Sequence, residues 1–304
     1  MITGGERTHG ADTLGNARPL RHVRSVITEP APAKLNLALH VRHRRPDGYH
    51  ELETLFAFCR DGDVIELDTA DTDHFVIAGP FAAALRPEAA EPWADNLVTR
   101  AVDAFTGAFG VASAHRVALT KNLPVASGIG GGSADAAATL RALARLHGVT
   151  LDHPDLRTLA ARLGADVPAC LLGRTALGRG RGDALTPLDG LGGTPALLVN
   201  PGVPVSTAAV FGGWDGVNRG PLGEGDPLVL ARAGRNDLEA PARRIAPAID
   251  AVLAALSGAP GVLLARMSGS GATCFALFED SAARDEAAAA IRPRSWWSLE
   301  TTLA

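Results

Sequence analysis

The stretch Leu123-Pro124-Val125-Ala126-Ser127-Gly128-Ile129-Gly130-Gly131-Gly132-Ser133-Ala134-Asp135-Ala136-Ala137-Ala138 runs a glycine cluster straight into an alanine-rich helical pattern. Glycine lets a backbone approach a polyanion and take up φ > 0. The first turn of the following helix aims unpaired N–H groups and the positive end of its dipole at the same point. Such a junction is built to hold phosphate and points to a nucleotide. It is not a Walker A loop, because no Lys-Ser or Lys-Thr pair follows the glycines. Nor is it the dinucleotide fingerprint, because Ser133 stands where the third glycine would fall.

Composition bounds the molecule that carries this loop. The 304 residues are 46% hydrophobic and 20% charged, with net charge -4. These values predict a folded chain long enough for two unequal domains and exclude the basic footprint of a nucleic-acid binder. Cys59, Cys170 and Cys274 are widely spaced with no CxxC pair, so neither a disulfide scaffold nor a zinc site is expected and a reducing cytoplasm fits. Residues 1–25 contain no apolar run of the kind a secretory signal or anchor needs and read as a mobile extension. The uncharged stretch Gly190 to Trp214 is broken by Gly192, Gly193, Pro195, Pro201, Gly202 and Pro204, which predicts a strand and loops rather than a membrane span.

From Ala33 to Val41 the residues alternate, with Leu35, Leu37, Leu39 and Val41 on one face and Lys34, Asn36, Ala38 and His40 on the other, the pattern of a half-buried strand. Val64 to Asp68 and Val117 to Thr120 read as further strands, and Asn96 to Phe105 as a helix capped by Asp95. After the glycine loop, helices are expected over Ala134 to Leu146 and Asp155 to Leu163, the second ending at Gly164. A second half begins near Pro187, with a strand at Ala196 to Asn200 and a helix from Ala246 to Ser257. Strands near Val262 to Arg266 and Thr273 to Phe278 then flank another glycine loop, followed by a helix and a final strand. The elements interleave without a regular βαβ period, so the class is α+β.

Several side chains stand out for chemistry. Lys34 and Asn36, two apart on a strand, share a face. Asp166 follows a helix end, where it could face a cleft or simply cap a short helix starting at Val167. Ser133 could cap its helix while offering its hydroxyl to a phosphate oxygen or magnesium ion. The loop Ser268 to Gly271 reads either as a tight hairpin turn or as a contact for anionic oxygens. Tyr49, the single tyrosine, precedes His50 in a glycine-containing turn.

Three separated motifs, Pro32-Ala33-Lys34-Leu35-Asn36-Leu37, the glycine loop, and Met267-Ser268-Gly269-Ser270-Gly271-Ala272-Thr273, together resemble the GHMP small-molecule kinases. Within that superfamily, Pro46-Asp47-Gly48-Tyr49-His50-Glu51-Leu52, Gly164-Ala165-Asp166-Val167-Pro168 and Asn236-Asp237-Leu238-Glu239 resemble the members that phosphorylate 4-diphosphocytidyl-2-C-methyl-D-erythritol in the non-mevalonate route to isoprenoids. The likeness runs from Pro30 to about Leu303, and Ala272 departs from it where a proline is common.

The resemblance implies an α+β, two-domain GHMP kinase fold. Residues 28–186 would form an ATP-binding α/β domain with a left-handed βαβ crossover, residues 187–304 a ferredoxin-like domain, and residues 1–27 a flexible extension. It implies phosphoryl transfer to the 2-hydroxyl of a small cytidine-diphosphate-linked substrate, with ATP and Mg as cofactors. Neither nucleic acid nor membrane is an expected partner, and the protein would be a monomer or homodimer in the cytoplasm. Lys34 and Asp166 would be the catalytic pair. Lys121, near the adenine, would bind ATP with Pro124, Ala126, Ser127, Gly128, Ile129, Gly130, Gly131, Gly132, Ser133 and Ala134. Asn36, Tyr49, His50, Phe211, Ser268, Gly269, Ser270 and Gly271 would bind the substrate, with Tyr49 and Phe211 on opposite faces of the cytosine and His50 on its edge. No tightly bound metal is expected; magnesium would arrive with ATP and meet Ser133. The alternatives are a GHMP kinase for homoserine, mevalonate or a sugar, and an inactive nucleotide-binding module. Tyr49, His50 and Asn36 argue against the first, and the presence of both Lys34 and Asp166 argues against the second.

Overall fold

The computed structural model describes residues 26–85 and 96–304. The expected extension before residue 26 and the expected cap Asp95 lie outside the described residues, while residue 27 already belongs to a strand. Two long strands organise the first half. β1 (Ile27–Arg44) and β2 (His50–Ala70) pair antiparallel from Ile27 opposite Leu67 to Arg44 opposite His50. On its other edge β2 takes β5 (Ala176–Gly180) along Leu52 to Phe56 and β4 (Ala114–Thr120) along Val64 to Ala70. β3 (His74–Ala78) and β6 (Ala184–Pro187) complete the sheet. β3 and β4 are parallel neighbours joined through α1 (Leu97–Phe109) in a βαβ crossover.

β1 is buried on both faces, not half-buried. Ala33, Leu35 and Leu37 face the second sheet, while Lys34, against Gly130, and Asn36, against Gly269, are each 3% exposed. Three register shifts, between Pro32 and Lys34, Asn36 and Ala38, and Val41 and His43, interrupt its pairing with β2. Bulges re-aim side chains. Because Lys34 and Asn36 fall between two of them, they keep a common face.

Helices cover the first sheet's outer face. α1 is capped by Asn96, whose side chain accepts the Val98 N–H, so the cap stands one residue after the expected Asp95. α2 (Gly131–His147) begins three residues before the expected Ala134, inside the glycine cluster. α3 (Pro154–Leu163) and α4 (Val167–Leu172) follow. α1 and α2 end at left-handed Gly110 and Gly148, whose N–H groups return to Thr106 and Ala144. The core under these helices gathers Phe56, Phe58, Ile65, Phe105, Leu140 and Leu143.

The second sheet is antiparallel in the order β10 (Trp297–Thr302), β7 (Pro195–Asn200), β9 (Cys274–Phe278), β8 (Val262–Met267), the ferredoxin-like order. α5 (Thr207–Gly212), α6 (Pro227–Ala233), α7 (Glu239–Ile245) and α8 (Ala248–Ser257) connect β7 to β8, and α9 (Ser281–Ile291) connects β9 to β10. The stretch expected to hold a strand and loops thus also contains α5. The helix expected from Ala246 starts at Ala248, because Ala246 closes α7 and Pro247 suits a helix start. Leu35, Leu37 and Ala57 meet Leu198, Phe275 and Leu277 between the two sheets.

At the end of α2 remote from the glycine loop, His115 and His147 bring their Nε2 atoms within 2.9 Å, and His115 is 1% exposed. Burial lowers the pKa of both, with the neighbouring imidazole adding to the effect at His115 and Asp73 opposing it. Burial also lowers His40 and His50. The unfolded chain, with histidines near 6.5, therefore binds more protons than the folded one below that pH, so stability falls on acidification. The thermal midpoint is expected to drop between about pH 7 and pH 5, and His147→Gln to flatten that limb in part. A midpoint that rises as the pH falls through this window would contradict the assignment.

Candidate active site

A cleft of about 1050 Å³ opens where the glycine loop, β1, the 45–49 turn, α5 and the β8–β9 loop converge. The glycine loop forms its floor. Gly130 caps α2 in the left-handed region at φ 67, and the first intrahelical bond runs from Ala134 N–H to Gly130 O. The N–H groups of Gly131, Gly132 and Ser133 therefore lack intrahelical acceptors and form the positive end of a 17-residue helix. Ser133 lies in the first turn rather than at the cap. Pro124, Ala126, Ser127, Gly128, Gly130, Gly131, Gly132 and Ser133 all line the cleft, whereas Ile129 and Ala134 turn into the core at 0% and 1% exposure. A Cβ on Gly128 would stand 2.4 Å from Ser268 O, and one on Gly130 would stand 2.9 Å from Lys34 Cε. Backbone contact thus rules out a side chain at Gly128, and at Gly130 the left-handed φ adds strain to the contact with Lys34.

Lys34 crosses beneath the loop. Its N–H donates to Ile129 O at 2.9 Å, and its Nζ lies 2.8 Å from Asn36 Oδ1 and 3.0 Å from Asp166 Oδ2. Asp166 occupies the N-cap position of α4, but its side chain makes no capping bond. The carboxylate is turned to Lys34 instead and stays 37% exposed toward the cleft. Asn36 is fixed in turn: its Nδ2 donates to Thr54 Oγ1, which donates to Ala38 O.

The β8–β9 loop folds back on the glycine loop. Ser268 Oγ donates to Gly128 O at 3.0 Å and accepts the Asn36 N–H at 3.1 Å, while Thr273 N–H donates to Ser127 O. Ser268 is 0% exposed and acts as a staple between loops; Gly269 and Ser270 line the cleft, and Gly271 packs against Met267 and Ile249. Ser270 bonds Thr207 at 2.9 Å across the cleft wall. Asn236 Nδ2 holds the loop from behind through Met267 O and Gly269 O.

At the far end, Asp47 accepts the Tyr49 N–H and shapes the turn, leaving Tyr49 52% exposed and His50 8% exposed at the start of β2. The His50 ring lies 4.9 Å from Phe211 and meets Trp214 edge-on at 5.7 Å. Phe211 thus packs on His50. His50 Nε2 is buried with no hydrogen-bond partner, and burial, followed by nearby Arg44, lowers its pKa.

Lys121 is no surface lysine. It is 1% exposed, with Nζ 2.5 Å from Asp63 Oδ2 and 2.7 Å from Asp135 Oδ2. Burial disfavours its ammonium, but the two carboxylates more than offset this and its pKa rises. Burial also raises Asp135, against the pull of Lys121. Asp63 Oδ1 accepts the N–H groups of Asn122 and Leu123, tying the approach to the glycine loop onto β2. Asp63 and Thr54 carry no local pattern that announces these roles, and Asp135 and Asn236 fall in the glycine stretch and in the Asn236-Asp237-Leu238-Glu239 motif, neither of which specifies them. They become visible only once the strands are paired. Burial raises Cys170 to about 12 and pushes Cys59 and Cys274 up as well; all three thiols are free.

Residues 96–174 match the family model for the GHMP kinases N terminal domain, and residues 222–296 the one for GHMP kinases C terminal. The chain is 54% identical over 280 residues to 4-diphosphocytidyl-2-C-methyl-D-erythritol kinase of Rhizorhabdus wittichii, covering 91% of this chain and 94% of that protein. The protein of the same name from Erythrobacter litoralis is 47% identical, over 91% of this chain and all of its own length (100%). A crystal structure of 4-(cytidine 5'-diphospho)-2C-methyl-D-erythritol kinase aligns with TM-score 0.72 and 36% identity, covering 91% of this chain and 99% of that one. Homoserine kinase from Cytophaga hutchinsonii aligns over 94% of this chain and 96% of its own with TM-score 0.69, a likeness of fold at 21% identity.

Replacing Lys121 by Met leaves two buried carboxylates facing each other. Breaking a buried ion pair on one side costs about 3–5 kcal/mol. Lys121→Met is therefore expected to lower the urea midpoint by that equivalent, and a change under about 1 kcal/mol would show that the triad does not hold the loop.

Proposed function

Because this chain belongs to the GHMP kinases, and within them to the family of 4-diphosphocytidyl-2-C-methyl-D-erythritol kinases, we propose that its cleft transfers the γ-phosphoryl group of ATP to the 2-hydroxyl of that cytidine-diphosphate-linked alcohol. The observation that carries this reading is the 3.0 Å contact between Lys34 Nζ and Asp166 Oδ2 at the foot of the glycine loop. Phosphoryl transfer asks a protein mainly for position and for positive charge around the moving group. The free N–H groups of Gly131, Gly132 and Ser133 cradle the triphosphate, with the α2 dipole behind them. Lys34 neutralises charge on the γ-phosphoryl group. Asp166 accepts a hydrogen bond from the 2-hydroxyl and takes its proton as the new P–O bond forms and the bond to the β-phosphate oxygen breaks, releasing ADP. Asn36 keeps the Lys34 ammonium on the line between donor and acceptor.

Magnesium fits this wall: the Ser133 hydroxyl is a hard oxygen beside the phosphate cradle, and the remaining ligands of such an ion come from phosphates and water. When bound, the ion supplies further charge neutralisation to the phosphates. The cytosine is assigned to the space beside Tyr49, where the phenol ring stacks and His50 meets the base edge. A neutral imidazole has one donor and one acceptor, and the buried Nε2 without a protein partner supports that use. Homoserine, mevalonate and simple sugars have no group for this end of the cleft. The Lys34–Asp166 contact supports a working enzyme over an inactive binding module. No helix among the described residues is long and apolar enough to cross a membrane, and with three reduced thiols we assign the activity to the cytoplasm.

Phosphorus NMR of the product is expected to show a new monoester at the 2-position together with ADP; a different attachment site would overturn the acceptor assignment. Asp166→Asn is expected to lower kcat by roughly 10²–10⁴-fold with little change in ATP affinity, and wild-type turnover would remove Asp166 from the chemistry. Tyr49→Ala is expected to cost about 1–3 kcal/mol in binding of the cytidyl substrate, read as a raised KM, with the KM for ATP unchanged.

A further inference from the structure

The wall beside Tyr49 holds a cation that the reading above leaves without a task. Arg181 sits in the turn between β5 and β6 and lines the cleft. Its guanidinium lies 5.2 Å from the Tyr49 ring centroid, in cation–π range. Asp183 fixes its orientation: Nε and Nη2 donate to Asp183 Oδ2 at 3.1 and 2.8 Å, and the Arg181 N–H donates to Asp183 Oδ1. Gly182, at φ 97, lets the chain reverse between the two residues. The side chain is 29% exposed, so it is held but reachable. Side-on pairing with Asp183 occupies the Nε and Nη2 side of the guanidinium, and Nη1 makes no bond to that carboxylate, so it can serve another acceptor.

The lysines of the cleft are engaged, Lys34 with Asp166 and Lys121 with Asp63 and Asp135, and its other arginine, Arg44, lies by His50. Resting on the assignment of the cytosine to Tyr49, we propose that Arg181 is a positioning residue that reads the diphosphate attached to the cytidine. A planar fork held 5.2 Å from the ring that holds the base stands within a nucleoside's reach of the first phosphates. It therefore selects a cytidine diphosphate over cytidine itself. Its anchoring by Asp183 keeps the fork ordered before substrate arrives, which reduces the entropy lost on binding.

Calorimetric titration with cytidine and with CDP separates the two ends of the ligand. The wild-type protein is expected to bind CDP more tightly than cytidine. Arg181→Ala should weaken CDP by roughly tenfold, the size of one charge-assisted hydrogen bond, and leave cytidine unchanged. Arg181→Lys should recover part of the loss, since it restores the charge without the fork. In steady-state kinetics the same variants should raise the KM for the cytidyl substrate with the KM for ATP and kcat unchanged. Equal weakening of cytidine and CDP would show that Arg181 acts only by supporting Tyr49, and unchanged CDP binding would show no role at all; either overturns this inference alone. Failure of the wild-type protein to bind either probe would overturn the cytosine assignment and this inference with it.

Discussion

The backbone edge of β1 that faces away from β2 is the interaction on which the site depends. Four of its N–H groups leave the sheet: Lys34 to Ile129 O, Asn36 to Ser268 Oγ, Leu39 to Arg235 O and Val41 to Asp237 Oδ2. A strand edge normally needs protection or a partner. Here the partners are the glycine loop, the β8–β9 loop and the segment before α7, so the groups that complete the edge are also those that shape the cleft. The register shifts on either side of Lys34 and Asn36 let one strand serve β2 on one side and three separate loops on the other.

Beneath that edge, charge is arranged in two layers. The outer layer, Lys34 with Asp166 and Asn36, faces the cleft and keeps a reachable carboxylate. The inner layer, Lys121 with Asp63 and Asp135, is closed to solvent and binds the start of the glycine loop to β2 and to α2. One layer addresses the reacting groups and the other holds the floor still, a division that suits a reaction whose catalysis is mostly alignment.

Much of this was legible in the sequence because it was local. The glycine cluster, the alternation around Lys34 and Asn36, and the helix stop at Gly164 each depend on a few neighbouring residues, and each maps to an element at that place. What was not legible depends on long-range packing. Alternation alone marks β1 as half-buried, because nothing in those nine residues shows that a loop some ninety positions later covers their polar face. Nothing near Lys121 in the sequence marks its partners, and only the pairing of β2 with β4 brings Asp63 to it. Asp166 shows the reverse case: its position is that of a cap, yet Lys34 outcompetes the helix N–H groups for its carboxylate.

The shared edge of β1 also determines how the chain can be divided. A fragment ending at Pro187 would keep every strand of the first sheet but lose Arg235, Asp237 and Ser268 as partners for β1. It would also uncover Leu35 and Leu37, which pack against the second sheet. Such a piece would present an open, apolar ribbon to its own copies and polymerise rather than fold. The two halves are therefore one cooperative unit, and complementation between separately made fragments would require that they meet before either has collapsed.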